Sequence, residues 1–262
     1  MRTLTLAALP ALLALVAAPG PAAAQDVKAH IAAGDAARCQ RSIAGALGHF
    51  REALALDSLD YEANWKASRE LADSGKLMPD RVKVARDSVY AEALALAQRA
   101  VRVDSNGADA HYMVAVAAGR VALTKSAHER VKSARVVRDA ALRALALDSV
   151  HDGAMHVMGR WNAEIMRLPG ITKFFARTFL GASIFKEASW ENANRYFREA
   201  IRVDPQNIYH HLDFAEALVD QDSTAAAGAE LDTVARLPLG CDAGDPTYKT
   251  EAAALLQKIN RH

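Results

Sequence analysis

The sequence predicts an all-α fold: a right-handed superhelical solenoid of helix pairs with enlarged repeats, closed at the end by a capping helix. Three observations predict it. The hexapeptide ALALDS occurs at Ala53–Ser58 and returns at Ala144–Ser149. Two further segments, AQRAVRVDS ending at Ser105 and FREAIRVDP ending at Pro205, align with it on the Asp. And eleven residues past each of the four Asp residues stands a small one: Ser68, Ala115, Gly159 and Ala215.

The elements follow in order. Residues 1–24 read as a cleaved export signal. Arg2 gives a positive start, Leu4–Ala18 is an apolar run of 15 residues, and Ala22-Ala23-Ala24 has the small-x-small cleavage pattern. The run is shorter than the roughly 18 residues of a membrane-spanning helix. A mature chain, residues 25–262, is expected to start near Gln25 and to be periplasmic or secreted. Counting back one 34-residue repeat from Ser68 reaches Gly34, so a first helix carrying Gly34 opens the fold. The four copies then supply stripes: Ala46/Phe50/Ala53, Ala93/Ala97/Ala100, Val137/Ala141/Ala144 and Ala193/Phe197/Ala200. Spacing of four and three is one face of an α-helix, and small residues there let a neighbour approach closely. Each stripe ends at its Asp, which marks a turn into the next helix. The Asp-to-Asp steps are 47, 44 and 56 residues, so two helices are lengthened and the third insert, with Pro169-Gly170 and Gly181, adds a short helix. Ala227, Leu231 and Val234 continue the spacing until Pro238. Asp245 as N-cap and Pro246 open a capping helix with the stripe Ala252, Leu255, Leu256 and Ile259.

Composition excludes several classes. Without Arg2 there are 31 basic against 31 acidic residues. A neutral, mixed surface gives no electrostatic case for nucleic acid or an anionic membrane. No Gly-rich phosphate loop follows the signal, and no HExxH, CxxC pair or GxSxG is present. Neither a catalytic residue nor a cofactor is expected. His151 and His156 are five apart and His210-His211 adjacent, so neither pair shares a helical face and no metal site is expected from them. Cys39 and Cys241 sit at opposite ends of the chain, and an elongated fold would keep them apart.

A repeated helix–turn–helix unit with small residues at the crossings resembles the tetratricopeptide pattern. Four segments narrow it: MHVMGRWNAEI, FFARTFLG, ENANRYFREAIRVDPQN and DPTYKTEAAALLQKI, in that order. Together, over Val89 to Ile259 and with Trp161 the most distinctive match, they resemble the regulator of microtubule dynamics family. That resemblance implies a non-enzymatic helical binding domain. In tetratricopeptide arrays the first helices line a concave groove, at positions that translate here to eight, twelve and sixteen residues past each Asp. These are Trp65, Arg69 and Asp73; Tyr112, Val116 and Arg120; His156, Arg160 and Glu164; Leu212, Glu216 and Asp220. The expected partner site is Trp65, Arg69, Tyr112, Arg120, His156, Arg160 and Glu164, holding a protein or peptide. Arginines there suit a carboxylate or phosphate group. The alternative is a small-ligand or lipid carrier whose superhelix closes around a pocket. Phe174, Phe175, Phe179 and Leu180 are expected to pack back onto Trp161 rather than to meet a lipid.

Overall fold

The Asp that ends each copy turns the chain by two hydrogen bonds. The backbone N–H of Asp57, Asp104, Asp148 and Asp204 donates to the carbonyl four residues back, at 2.8–2.9 Å. Each carboxylate Oδ1 then accepts from the N–H two residues on: Leu59, Asn106, Val150 and Gln206, at 2.9, 2.9, 3.0 and 3.1 Å. Asp is short enough to make this local turn, which competes with helix continuation. Ser42, Asp60, His151 and Ser189 cap helix starts by accepting a backbone N–H.

The computed structural model describes residues 21–122, 127–168 and 187–261. Its helices, in chain order, are α1 Pro21–Cys39, α2 Ile43–Leu56, α3 Tyr61–Leu77, α4 Lys83–Val103, α5 Ala108–Ala122 and α6 Ala127–Leu147. There follow α7 Asp152–Arg167, α8 Trp190–Val203, α9 Ile208–Val219, α10 Thr224–Arg236 and α11 Asp245–Ile259. A 3₁₀ turn at Asp80–Val82 separates α3 from α4. No strand occurs among the described residues, and no described helix is long and apolar enough to cross a membrane. The leader through residue 20 and the Phe174–Leu180 cluster lie outside the described residues.

The helices pack as five antiparallel pairs, α1/α2 through α9/α10, and the residues at each crossing complement one another. Where the second helix carries Phe, the first carries Gly. A Cβ on Gly34 would lie 2.4 Å from the Phe50 ring, and one on Gly159 2.9 Å from the Phe197 ring. Where the second helix carries Ala, a larger partner fits. Ser68 donates its hydroxyl to the Ala93 carbonyl at 2.7 Å, and Ala115 packs with Ala141. The stripes are accordingly sealed: Ala46, Phe50, Ala53, Ala93, Ala97, Ala100, Ala141, Ala144, Ala193, Phe197 and Ala200 are all buried. Val137 of the third stripe is only partly buried. On α11, Ala252 is buried and Leu255, Leu256 and Ile259 pack against the last core cluster.

Two expectations need correction. Asp245 does not act as the N-cap of α11. It is buried, and its carboxylate turns back to accept the Gly240 N–H at 2.6 Å, leaving Gly244 at the cap position. Nor are the two cysteines kept apart: Cys39 and Cys241 form a disulfide across a sequence separation of 202. The array curves so tightly that its end returns to its start. Arg41 donates to the Gly240 carbonyl at 3.0 Å, and Lys76 of α3 places its ammonium over the rings of Tyr209 on α9 and Tyr248 on α11, 3.3 and 4.0 Å from their centroids. Lengthened helices and a bridge between the termini close what a regular array leaves open.

The register makes a sharp prediction. Ala144→Asp puts an unpaired carboxylate at a helix crossing and is expected to cost about 3 kcal/mol. Arg143→Asp, one residue earlier and exposed, is expected to cost little. Thermal unfolding of the two variants checks it; equal shifts would refute the register.

Candidate functional site

Because the array closes, the inner helices line a half-open cavity of about 590 Å³. That lies in the range of roughly 300–1,000 Å³ usual for ligand pockets. Its wall takes Arg69 and Asp73 from α3, Tyr112, Val116 and Arg120 from α5, and His156, Arg160 and Glu164 from α7. Steps of four residues keep each set on one helical stripe. Six of the seven residues expected from the sequence therefore converge on one cavity. Trp65 does not line it; its ring stacks instead under the Arg69 guanidinium, 5.2 Å away. The fourth helix departs from the counted positions: Leu212 is fully buried in the core, and α9 turns Tyr209 and His210 to the cavity. Trp161 is buried, donates its indole N–H to the Ala134 carbonyl at 2.8 Å and fills space between α6 and α7.

Most charges in the wall are matched. Arg38 donates to Glu70 at 2.7 Å and to Asp73 at 2.9 Å, and Arg69 Nε donates to the same Glu70 oxygen at 3.0 Å. Glu70 is fully buried, so these two arginines hold its charge in place. A second network runs across α7 and α9. Asp152 meets His210 Nε2 at 2.9 Å, and His210 Nδ1 lies 3.0 Å from His156 Nδ1. His156 Nε2 lies 3.0 Å from Asp213 Oδ2, which accepts from Arg160 at 2.9 Å. Arg160 also donates to the Tyr209 hydroxyl. Burial drives the His156 imidazole down to about 4, so it is neutral at pH 7. Burial opposes the Asp213 charge, but Arg160 and His156 beside it hold the carboxyl far below its usual range. The adjacent His211 points elsewhere, to Glu230 at 2.6 Å.

Two cations differ from the rest. Arg120 bonds to Tyr209, and among the described residues no carboxylate lies within ion-pair distance of it. Lys76 has its ammonium nitrogen buried without a hydrogen-bond partner among the described residues. Burial first, and then Arg120 and Arg160 nearby, bring its pKa down to about 7. Both stand beside Tyr209, and Asp242, a carboxylate of the same wall, acts on Lys76 with the opposite sign. Sequence counting reached Arg120 but not Lys76, Tyr209 or Tyr248, which only the closure brings together.

Comparison with known proteins agrees with the fold. The family model described as Regulator of microtubule dynamics protein 1-3 matches residues 30–260. Regulator of microtubule dynamics protein 1 of Bos taurus is 26% identical over 153 residues, 58% of this chain and 47% of that protein. The Mus musculus protein of the same name is 28% identical over 156 residues, 58% of this chain and 49% of that one. The chain spans about half the length of these curated relatives. Among solved structures, TTC0263, a thermophilic TPR protein in Thermus thermophilus, superposes with a TM-score of 0.65 at 14% identity, covering 88% of this chain and 99% of that one. Pseudomonas aeruginosa pilF gives 0.52 at 13% identity, covering 92% and 93%. At such identities the likeness is one of fold.

Lys76, stacked on Tyr209 and Tyr248, makes the charge at the closure measurable. Its folded pKa, about 7, lies below the ordinary value of 10.5. Between the two, the unfolded chain binds a proton that the folded chain lacks, so this residue makes stability rise as pH rises above about 7. Lys76→Met keeps an apolar stem between the tyrosines and removes the titration. The unfolding temperature of the parent is expected to climb relative to the variant between about pH 7 and 9.5; parallel profiles would refute the assignment.

Proposed function

The chain belongs to the regulator of microtubule dynamics family, and from that premise we propose that it is a non-catalytic, exported scaffold holding an acidic segment of a peptide or protein partner inside its ring. Its tetratricopeptide-like solenoid is a fold suited to protein interaction. The observation that carries the reading is Arg120. A guanidinium has five N–H donors and stays charged at any physiological pH. Half-buried beside Tyr209, and with no carboxylate in ion-pair distance among the described residues, it keeps donors that an incoming carboxylate accepts through two parallel bonds. Lys76 relieves the cost of its burial by releasing its proton, an option closed to arginine. Arg38, Arg69, Arg120 and Arg160 set carboxylate-binding donors into a wall that also carries Val116, Val137, Val157 and Ile165, and a peptide with acidic and apolar side chains meets both.

Export rests on residues 1–24 and gains support from the cystine, because disulfides persist in oxidising compartments. The microtubule role in the relatives' name is no part of this reading. This chain spans half of them and starts with a segment read as an export signal.

Two outcomes are expected. A photo-crosslinking residue at Val116 is expected to capture a protein in the native compartment, and Arg120→Met to abolish that capture with little change in the unfolding midpoint. Arg160→Ala is the contrast: it strands Asp213 and is expected to cost about 3–5 kcal/mol of stability. Undiminished capture by the Arg120 variant would overturn the reading, and an organic-solvent extract containing a stoichiometric lipid would replace it with the carrier. N-terminal sequencing of the native protein is expected to begin at or near Gln25; a chain starting at Met1 would refute export.

A further inference from the structure

We propose that His30, His49 and Glu52 form a binding site for a divalent late first-row transition ion of the Zn²⁺ type, separate from the cavity. His30 stands on α1; His49 and Glu52 stand on α2, three residues apart and so on one face. His30 Nδ1 lies 2.9 Å, and His49 Nδ1 3.1 Å, from the same carboxylate oxygen, Glu52 Oε2. One ligand atom from each residue lies within 4.8 Å of the other two. An ion pair needs one imidazole; here two rings turn the same nitrogen to one oxygen. Tetrahedral zinc, with bonds of about 2.0–2.2 Å, holds neighbouring ligand atoms about 3.3 Å apart. The two His–Glu pairs need to open by only a few tenths of an ångström to admit the ion, and the two imidazole nitrogens, within 4.8 Å of each other, to settle at the same spacing.

The support is rigid. Gly34 lies one turn beyond His30, Phe50 directly follows His49, and the close Gly34–Phe50 crossing fixes the two helices against each other. Two neutral imidazoles and one carboxylate make a nitrogen-rich donor set, which suits zinc, nickel or copper and not the oxygen-seeking calcium or magnesium. Three protein ligands leave a fourth position for water or a partner's side chain. The three residues are half-buried or exposed, so the ion has a direct path in.

Calorimetric titration of Zn²⁺ into the metal-free mature chain tests this. One ion per chain is expected, with no heat from Ca²⁺. His30→Ala and His49→Ala are each expected to weaken binding by about tenfold or more. His111→Ala removes a histidine of α5, bonded to the Ser105 carbonyl at 2.9 Å and outside the cluster, and is expected to leave binding unchanged. Circular dichroism of each variant separates lost ligands from lost fold, and Glu52→Gln, which keeps the shape but not the charge, serves where an alanine variant fails to fold. Absence of Zn²⁺ binding overturns the proposal, and so does binding that survives either histidine substitution.

Discussion

The distance of closest approach between the two helices of a pair governs where every other side chain in this molecule stands. That distance is set by the residues at the crossing, of which at least one is small in each case: Phe50 and Phe197 each face a glycine, Ala93 meets Ser68, and Ala141 packs with Ala115. Interiors are packed to the density of organic crystals, so an added methyl at Gly34 meets the Phe50 ring with no room to retreat. The same crossings fix the azimuth of each inner helix. A helix held by one face presents the opposite face at a defined angle, and that is why residues four apart on α3, α5 and α7 reach one cavity.

Closure then converts a groove into an interior. Cys39–Cys241, the Arg41–Gly240 bond and the stacking of Lys76 on two tyrosines act at the same seam. Enclosure lowers the local dielectric response, which strengthens paired charges and penalises unpaired ones. The effects appear together. His156 is neutral, Lys76 sits near its titration point, and the Glu216 carboxyl, half-buried and close to Asp213, rises to about 7. Arg120 is the group that cannot adjust, because a guanidinium keeps its proton at any physiological pH. The seam and the cavity are one device: the residues that close the ring, Lys76, Tyr209 and Tyr248, also flank Arg120.

Sequence legibility varied with the range of the interaction involved. The Asp turns were readable because a carboxylate bonding the N–H two residues on is local. The stripes were readable because helical periodicity projects a packing face onto a line of text. Six cavity residues followed from the same count. The count failed at α9, where Leu212 is core and Tyr209 and His210 take the inner face, a local change of register that only packing reveals. Asp245 looked like a cap because its spacing fits one, yet Gly240 folds within reach of its carboxylate and claims it.

By itself the sequence determined the helix pairs, their crossings and the polarity of their inner face, since each depends on residues a few positions apart or on a repeated offset. Tertiary structure alone decided that the array closes, that cysteines 202 positions apart bond, that His30 meets the His49–Glu52 pair, and that Lys76 and Arg120 share a tyrosine. The physical reason is accumulation. Each repeat adds a small rotation set by its helix lengths and crossing angle, and whether the sum brings the last helix back to the first is a property of the whole stack rather than of any one repeat.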